Sequence, residues 1–357
     1  MRRVGVAITG FGSVGRCVAH MLESRRSRYR ERFGADVRIT GVCGANAGLI
    51  DPEGLSPERL RDRPAFAPRL SGDRFMSTVT ADVLIEAGPS DYRTGGTSLG
   101  YIRAALDRHM HTIVVSKGAL VADLRNLRQL ATKNGVSLRF SGAAGAALPT
   151  VDFIEHNLAG TKVLAIEAVL TGTATFILNQ MLHHGLDFEE AVRLAQDHGI
   201  AEPDPAFDVD GWDTASKLII IANSALGMAL QLDSLPREGL GSISRSDIEN
   251  WKTSGVTPRL VGFVEQQNGS VRAGVELRQY PSGHPFAGIQ GSMKAVRILT
   301  EDMGELTVLG GASSPSATAA AVLKDLEHVL SSSPGSQVPR LAMDMSSVAP
   351  DRDCQER

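Results

Sequence analysis

Residues 4–15 read Val-Gly-Val-Ala-Ile-Thr-Gly-Phe-Gly-Ser-Val-Gly, an apolar run that leads directly into a glycine-rich turn. Gly10, Gly12 and Gly15 have the spacing G-x-G-x-x-G. In a strand–turn–helix unit, the first glycine permits a tight turn, the second lets the backbone approach a pyrophosphate, and the third lets the helix pack against the strand. The stretch therefore predicts a dinucleotide-binding turn. The alternative is a glycine-rich turn in an α/β protein of another kind.

Strands and helices are predicted to alternate over the first 115 residues, outward from this turn. The apolar periodicity predicts strands at 4–9, 37–43, 83–87 and 112–115, and helices at 14–27 and 97–107. This spacing is typical of a Rossmann-type, doubly wound parallel sheet with helices on both faces. The first helix would also direct its first amide groups, around Ser13 and Val14, towards the phosphates of a dinucleotide.

From residue 148 the pattern changes to a mixture of helices and more antiparallel strands. It predicts a strand at 162–170, helices at 173–184, 188–198 and 213–226, strands at 257–265, 270–278, 294–299 and 305–309, and a last helix at 316–330. Residues 331–357 are rich in Ser, Pro, Met and Arg and have no periodicity, so a disordered tail is expected. The predicted fold class is α/β, with a mixed α+β domain after the parallel sheet.

The composition is that of a soluble globular protein. Of the 357 residues, 42% are hydrophobic and 22% charged, and the formal net charge is −3. So small a charge gives no electrostatic reason to expect nucleic acid or a membrane surface as a partner. No apolar run approaches the roughly 20 residues that a membrane span needs. The three widely spaced cysteines predict a reduced, cytoplasmic protein without a cysteine metal site.

The end of the second predicted strand bears on the choice of dinucleotide. A site for NAD usually has an acidic residue there, bonded to the adenosine ribose hydroxyls. In this chain residues 42–46 read Val-Cys-Gly-Ala-Asn, with no carboxylate and no arginine directly after. The missing acid removes the usual penalty against a 2′-phosphate. The cofactor is therefore expected to be NADP or NAD, with NADP favoured.

Several further segments together resemble the homoserine dehydrogenase family. They are 114–120 (VVSKGAL), 141–150 (SGAAGAALPT), 171–178 (TGTATFIL), 199–217 (GIAEPDPAFDVDGWDTASK) and 310–326 with its Gly-Gly-Ala start. The 199–217 segment is the most specific of these, and the resemblance extends over about residues 4–330. It implies reversible hydride transfer between L-homoserine and L-aspartate 4-semialdehyde.

The resemblance also implies a domain organisation and an oligomer. A dinucleotide-binding domain would cover 1–147, a dimerisation and catalytic domain 148–312, and a helix at 313–330 would return to the first domain. The expected assembly is a homodimer or a larger homo-oligomer. The expected partner is a small amino-acid substrate.

Two lysines are the candidates for acid–base chemistry. Reduction of an aldehyde needs a proton donor at the carbonyl oxygen, and a lysine can serve near neutral pH when its surroundings favour the neutral form. Lys217 is followed by an apolar run and lies four residues after Asp213, so the alternative is an exposed ion pair on one helix face.

Lys117 follows the fourth predicted strand, at the edge where doubly wound sheets bind ligands. Its alternative is a solvated loop lysine. Lys217 is the first choice for general acid/base, and Lys117 would orient the carbonyl or share the proton.

The substrate's ammonium group needs acidic partners, and its carboxylate needs donors. By resemblance the acidic candidates are Glu202, Asp208 and Asp213, each with plain surface solvation as the alternative. Thr173 would offer a hydroxyl at the start of a helix, where amide groups favour an anion. Its alternative is a helix cap. The set expected to bind the cofactor is Gly10, Gly12, Ser13, Val14, Gly15, Gly88, Ser116, Lys117 and Gly311.

Some positions depart from the family's usual pattern. Ser141 stands where some members have a glutamate near a bound monovalent cation, so no metal site is predicted. The other departures are Ser116, Ala174, Lys294 and Ala312. Together they leave room for a relative that acts on another small amino-acid alcohol or aldehyde. A dinucleotide-binding protein without turnover is a third possibility, against which the presence of both lysines argues.

Overall fold

The computed structural model describes residues 1–62, 65–267 and 270–332. The chain forms two compact units, the first made of Met1–Ala143 with the segment that starts at Ser314, the second of Ala144–Ser313. Most of the predicted disordered tail lies outside the described residues. Ser331, its first residue, is the last residue of the final helix. Within the described ranges, no helix is both long and apolar enough to cross a membrane.

The first unit is built on a seven-stranded sheet. Its strands are β1 (Arg2–Thr9), β2 (Ala35–Cys43), β3 (Ala47–Ile50), β4 (Ala67–Pro68), β5 (Val83–Glu86), β6 (His111–Val114) and β7 (Leu138–Arg139), in the order β4-β3-β2-β1-β5-β6-β7. The five strands from β2 to β7 are parallel in this order, and β3 and β4 add an antiparallel ribbon at one edge. β1 is the central strand of the seven. Because its neighbours are parallel to it, the turn that follows β1 lies at the carboxyl edge of the sheet.

Helices connect these strands. They are α1 (Ser13–Ser24), α2 (Arg26–Phe33), α3 (Pro57–Arg61), α4 (Gly72–Thr78), α5 (Gly96–Asp107), α6 (Lys117–Lys133) and α7 (Ser141–Ala144). The sequence analysis did not place α6, although Leu120, Leu124 and Leu127 have helical spacing and are buried. A kink at Asp123, where the backbone leaves the helical region, and Gly118 in the first turn interrupt the pattern.

The last helix, α13 (Pro315–Ser331), belongs to the first unit. Its buried Val322 and Leu326 share a hydrophobic cluster with Val18 of α1 and Ile8 of β1. A second cluster contains Leu84 of β5 together with residues of α4 and α5. Ala7 and Ile8 are neighbours on β1 but belong to different clusters. Neighbouring residues of a strand point to opposite faces, so both faces of the sheet are covered by apolar side chains.

The second unit contains a five-stranded antiparallel sheet. Its strands are β8 (Val163–Val169), β9 (Val256–Gln267), β10 (Ser270–Pro281), β11 (Lys294–Thr300) and β12 (Glu305–Gly310), in the order β10-β9-β8-β11-β12. Its helices are α8 (Gly172–Asn179), α9 (Phe188–Asp197), α10 (Ala206–Val209), α11 (Trp212–Ala225) and α12 (Arg245–Ser254). The helix predicted at 173–184 is α8 followed by a π-helical turn, Gln180–His184. The predicted fold class is confirmed.

Candidate active site

The glycine turn after β1 has the geometry of a phosphate-binding loop. Gly10 has a φ of +81°, and a Cβ there would lie 2.3 Å from the backbone of Ala87 and Gly88. A Cβ on Gly15 would lie 2.3 Å from the carbonyl oxygen of Gly10. Around Gly12, by contrast, a Cβ would meet nothing within 4 Å. The first and third glycines are thus required by the fold, whereas the second leaves open space in front of the backbone.

The start of α1 fits an anionic ligand. The helix begins at Ser13 with Gly12 at the cap position, and no side chain caps it. Amide groups in the first turn of a helix have no intrahelical acceptor and carry the positive end of the helix dipole. Ser13 is exposed and Val14 half-buried, as a pyrophosphate-binding position requires. The residues present therefore suit the phosphates of a dinucleotide.

A buried carboxyl group lies at the carboxyl end of β5, next to this turn. The Glu86 side chain accepts hydrogen bonds from the Ser98 hydroxyl at 2.7 Å, from the Gly88 amide at 2.7 Å and from the Ser116 hydroxyl. Burial raises the pKa of Glu86, although these donors act in the opposite direction. Gly88 and Ser116, two predicted cofactor residues, are thus held together by a carboxyl group. The sequence analysis passed over Glu86, an acid that ends the apolar run 83–85.

Ser116 and Lys117 form the junction between β6 and α6. Ser116 is at the cap position of α6, but its hydroxyl bonds to Glu86 and makes no cap hydrogen bond. Lys117 is the first residue of the helix, and its amide donates to the Ser90 hydroxyl at 2.9 Å. The Lys117 side chain is half-buried. The lysine thus lies at the carboxyl edge of the parallel sheet, where such folds bind ligands.

The end of β2 is occupied by small and neutral residues. The carbonyl oxygen of Cys43 accepts from the amides of Gly10, at 2.9 Å, and Phe11, at 3.2 Å. The carbonyl oxygen of Asn46, three residues on, accepts from the amide of Arg69 at 2.7 Å. Arg69 has a φ of +61° and an exposed side chain. The backbone of an exposed arginine therefore lies next to the segment where an NAD site usually has its acid.

In the second unit, the half-buried Lys217 and the buried Asp213 form an ion pair on α11. Lys217 Nζ lies 2.6 Å from Asp213 Oδ2, and the two side chains are 14% and 6% exposed. The helix supplies the spacing, because residues four apart lie on one face. Leu218 to Ala222, which follow Lys217, are fully buried and fix α11 in the core. The exposed ion pair considered from the sequence is therefore not what the chain forms.

The loop between β8 and α8 completes the surroundings of this pair. Lys217 Nζ donates to the carbonyl oxygen of Leu170 at 2.9 Å. The hydroxyl of Thr171 donates to Asp213 Oδ2 and contacts the hydroxyl of Thr214, each at 2.9 Å. The ammonium group thus has two fixed acceptors, and its aspartate has a second donor. The sequence analysis did not single out Thr171, although it immediately precedes the Gly-Thr turn.

Two further predicted substrate residues, Glu202 and Asp208, lie along the segment before α11, and Thr173 lies in α8. Glu202 is exposed, and within the described ranges its carboxylate makes no hydrogen bond. Asp208 lies in the short helix α10 and is half-buried. Thr173 is the second residue of α8, while Thr171 has the cap position. The Thr173 hydroxyl donates to the carbonyl oxygen of Ile200 at 3.1 Å, which links α8 to the segment that carries Glu202.

The glycines after β12 pack against the turn at Leu148. Gly311 has a φ of +79°, and a Cβ there would lie 2.8 Å from the amide nitrogen of Leu148. In the same turn the carbonyl oxygen of Gly145 accepts from Lys294 Nζ at 3.4 Å. Lys294 is 3% exposed. Lys294, one of the positions that depart from the family's usual pattern, is therefore a buried lysine bonded to a backbone carbonyl oxygen.

A phosphate-binding turn on a parallel sheet and a largely buried lysine–carboxylate pair on a second unit together define an NAD(P)-dependent oxidoreductase that acts on a CH–OH group. Two family profiles agree with this class. The profile described as homoserine dehydrogenase, NAD-binding domain, matches residues 10–141, and the one described as homoserine dehydrogenase matches residues 149–326. The chain belongs to the homoserine dehydrogenase family.

Individual relatives are similar over nearly their whole length. The NAD(+)-dependent homoserine dehydrogenase of Pseudomonas canavaninivorans is 30% identical, over 92% of this chain and 97% of the relative. The homoserine dehydrogenase of Methanocaldococcus jannaschii is 29% identical, over 92% of this chain and 98% of the relative. A solved structure of a putative homoserine dehydrogenase from Archaeoglobus fulgidus superimposes with a TM-score of 0.84 at 30% identity, covering 92% of this chain and 99% of that one.

Proposed function

We propose that this chain catalyses the reversible, NAD(P)-dependent interconversion of L-homoserine and L-aspartate 4-semialdehyde. The observation that carries the proposal is the largely buried pair of Lys217 and Asp213 on α11. A largely buried ammonium group that is held by a carboxylate and a carbonyl oxygen is a proton donor in a fixed place. The first unit supplies the dinucleotide turn that such a reaction needs.

Lys217 is proposed as the general acid in the reductive direction and the general base in the oxidative direction. The bound nicotinamide supplies or accepts the hydride. Lys217 Nζ protonates the aldehyde oxygen, or takes the proton from the hydroxyl group. Asp213 and the carbonyl oxygen of Leu170 orient the ammonium group, so that little conformational entropy is lost at the moment of transfer. Lys117 is proposed as the second active-site lysine, which orients the carbonyl group.

The α-ammonium and carboxylate groups of the substrate are proposed to be bound by three protein carboxylates and by the amino end of α8. Glu202, Asp208 and Asp213 would receive the α-ammonium group. The exposed, unbonded carboxylate of Glu202 supports this role best. Thr173 would act on the substrate's carboxylate through the first amide groups of α8. Its hydroxyl already has a protein acceptor.

The nine predicted cofactor residues are proposed to hold the dinucleotide, with NADP preferred over NAD. Gly10, Gly12 and Gly15 would surround the pyrophosphate, and Glu86 would fix Gly88 and Ser116 beside it. The absence of a carboxylate from residues 42–46 and the exposed Arg69 beside Asn46 support the preference for a 2′-phosphate.

We also propose a homodimer that forms through the outer face of the sheet in the second unit. Leu299 and Leu309 are 39% and 45% exposed. They lie on the same face of β11 and β12, because Leu309 pairs with Ala295, and Ala295, Arg297 and Leu299 alternate along β11. Exposed apolar side chains on one face of a sheet are a surface that a second copy would bury.

The second candidate substrate is a different small amino-acid alcohol or aldehyde. The observation that favours it is Lys294, a buried residue that departs from the family's usual pattern. Both candidates are tested by one spectrophotometric assay. The chain is supplied with L-aspartate 4-semialdehyde, or with related aldehydes, and with each reduced cofactor. Oxidation of the cofactor by aspartate semialdehyde supports the proposal. Oxidation only with another aldehyde supports the second candidate, and no oxidation with any aldehyde contradicts both.

A further inference from the structure

Arg259, near the start of β9, is the largest of the fully buried side chains in the described ranges and is 1% exposed. Its five N–H groups are matched by five hydrogen bonds, and every acceptor is neutral. Nε donates to Phe286 O at 3.0 Å, Nη1 to Asn179 Oδ1 at 2.9 Å and Pro258 O at 3.0 Å, and Nη2 to Ile289 O at 2.7 Å and Ala287 O at 3.2 Å.

No carboxylate in the described part of the chain pairs with this guanidinium. Burial without an opposite charge lowers the pKa of Arg259 to about 10, so the group remains charged at neutral pH. A buried charge is costly unless its donors are all satisfied. Its five donors satisfy buried carbonyl and amide oxygens that an apolar side chain of similar length would leave unpaired. The positive charge and its five-donor geometry therefore require a reason beyond filling the core.

The segment held by Arg259 lies along α8 and touches both of its ends. At the carboxyl end, Ile289 O accepts from Asn179 Nδ2 at 3.3 Å as well as from Arg259. At the amino end, the backbone of Ser292 packs on Gly172, where a Cβ would lie 2.8 Å from Ser292 O. Arg259 thus holds a segment that bonds to Asn179, the last residue of α8, and packs on Gly172, its first residue.

The amino end of α8 also carries one acceptor of Lys217 and one donor to Asp213. Leu170 O accepts from Lys217 Nζ, and the Thr171 hydroxyl donates to Asp213, directly before Gly172. A displacement of α8 along its axis would therefore move both contacts. Placement of a reacting group is demanding, since an error of about 1 Å costs about a hundredfold in rate.

We propose that Arg259 is a positioning residue for Lys217. By binding the carbonyl oxygens of 286–289 and the side chain of Asn179, it fixes α8 and so the Leu170–Thr171 corner that holds the Lys217–Asp213 pair. Arg259 does not touch the substrate in this account. The inference rests on the proposed function only where turnover is measured.

The test compares three variants of the full-length chain. Arg259→Met removes the charge and all five hydrogen bonds, and Arg259→Lys retains the charge with fewer donors. Arg278→Met is the matched control, since Arg278 is the cross-strand neighbour of Arg259 on β10 and pairs with Glu167. The measurements are kcat, the KM for each substrate, thermal unfolding, and the rate at which acetic anhydride acetylates Lys217, followed by mass spectrometry.

For Arg259→Met we expect a loss of kcat of about a hundredfold, an unchanged KM for the dinucleotide and faster acetylation of Lys217. We expect Arg259→Lys to recover part of kcat, and Arg278→Met to keep wild-type kcat and acetylation rate. A folded Arg259→Met protein with wild-type kcat and wild-type acetylation would overturn the inference. A loss of kcat that merely follows the unfolded fraction, with acetylation of the folded fraction unchanged, would also overturn it.

A second variant keeps the test decisive if Arg259→Met does not fold. Asn179→Ala removes one acceptor of Arg259 and the bond from Asn179 to Ile289. We expect a smaller loss of kcat and a smaller rise in Lys217 acetylation, and no change in either would overturn the inference. If the wild-type chain does not turn over homoserine, the proposed function fails, while a faster acetylation of Lys217 in these variants still supports the role of Arg259.

Discussion

Lys217 Nζ and Asp213 Oδ2 lie 2.6 Å apart in a place where neither side chain is more than 14% exposed. An exposed pair at this spacing contributes only a few tenths of a kcal/mol and needs no functional explanation. A buried pair costs desolvation that its attraction only partly offsets. A pair with so little exposure next to a helix amino end is therefore better explained by chemistry than by stability.

Replacement of Lys217 by alanine should abolish most turnover and leave dinucleotide binding intact. A general acid/base contributes typically 10²–10⁴-fold, so kcat should fall by at least about a hundredfold. Dinucleotide binding, measured by the fluorescence of the reduced cofactor, should not change, because the glycine turn belongs to the other unit. Lys252→Ala, an exposed lysine of α12 in the same unit, is the control. Near-normal turnover in Lys217→Ala would show that the pair is structural.

Alanine at Gly12 should separate cofactor binding from folding. A Cβ at Gly12 meets no protein atom within 4 Å, so thermal unfolding should stay at the wild-type temperature. The same methyl group occupies the space where a pyrophosphate would approach, so dinucleotide affinity should fall by tenfold or more, on the order of 1.4 kcal/mol. Gly15→Ala is the contrast, because its Cβ would lie 2.3 Å from Gly10 O and should destabilise the fold. Unchanged affinity in Gly12→Ala would remove the pyrophosphate from this turn.

Arg69→Ala should weaken NADP binding and leave NAD binding unchanged. A hydrogen bond to a charged group contributes about 1.5–3 kcal/mol, so the Kd for NADP should rise by roughly tenfold or more. Arg74→Ala is the matched control, since Arg74 is an exposed arginine five residues further along the chain. Equal effects on NADP and NAD, or no effect on either, would show that Arg69 does not contact the 2′-phosphate.

Glu86→Gln should change the dependence of stability on pH. Burial raises the pKa of Glu86 in the folded chain, so the folded state binds this proton more tightly than the unfolded state. The resulting stabilisation is complete below the ordinary carboxyl pKa and is lost as pH rises through the folded pKa. Glutamine mimics the protonated acid and does not titrate. The unfolding free energy of the variant, relative to the wild type, should therefore be higher at about pH 8 than at about pH 5.

Denaturant titrations at the two pH values measure this difference. Ser98→Ala is a suitable comparison, because it removes one donor to Glu86 and retains the titrating group. A pH-independent difference between Glu86→Gln and the wild type would mean that Glu86 titrates alike in the folded and unfolded chains.

The parts of this molecule that sequence reasoning predicts are those with local causes. The three turn glycines are recognised by their spacing directly after an apolar strand. Lys217 and Asp213 meet because a helix brings residues four apart together. Glu86 was not found, because its three donors come from positions up to 30 residues away. Arg259 was not found either, since its acceptors lie 27 to 80 residues away apart from Pro258. Only the folded chain shows that this arginine, in an ordinary strand pattern, pairs with no carboxylate among the residues that the structure describes.

The most direct test of the central claim is the transfer of hydrogen itself. The chain is incubated with L-aspartate 4-semialdehyde and reduced NADP or NAD that carries deuterium at the transferred position, and the product is analysed by mass spectrometry and NMR. Hydride transfer with Lys217 as the proton donor should give L-homoserine with one deuterium on the carbon that was the aldehyde, and much slower formation of it in Lys217→Ala. No deuterium in the product, or no consumption of the reduced cofactor, would contradict the account.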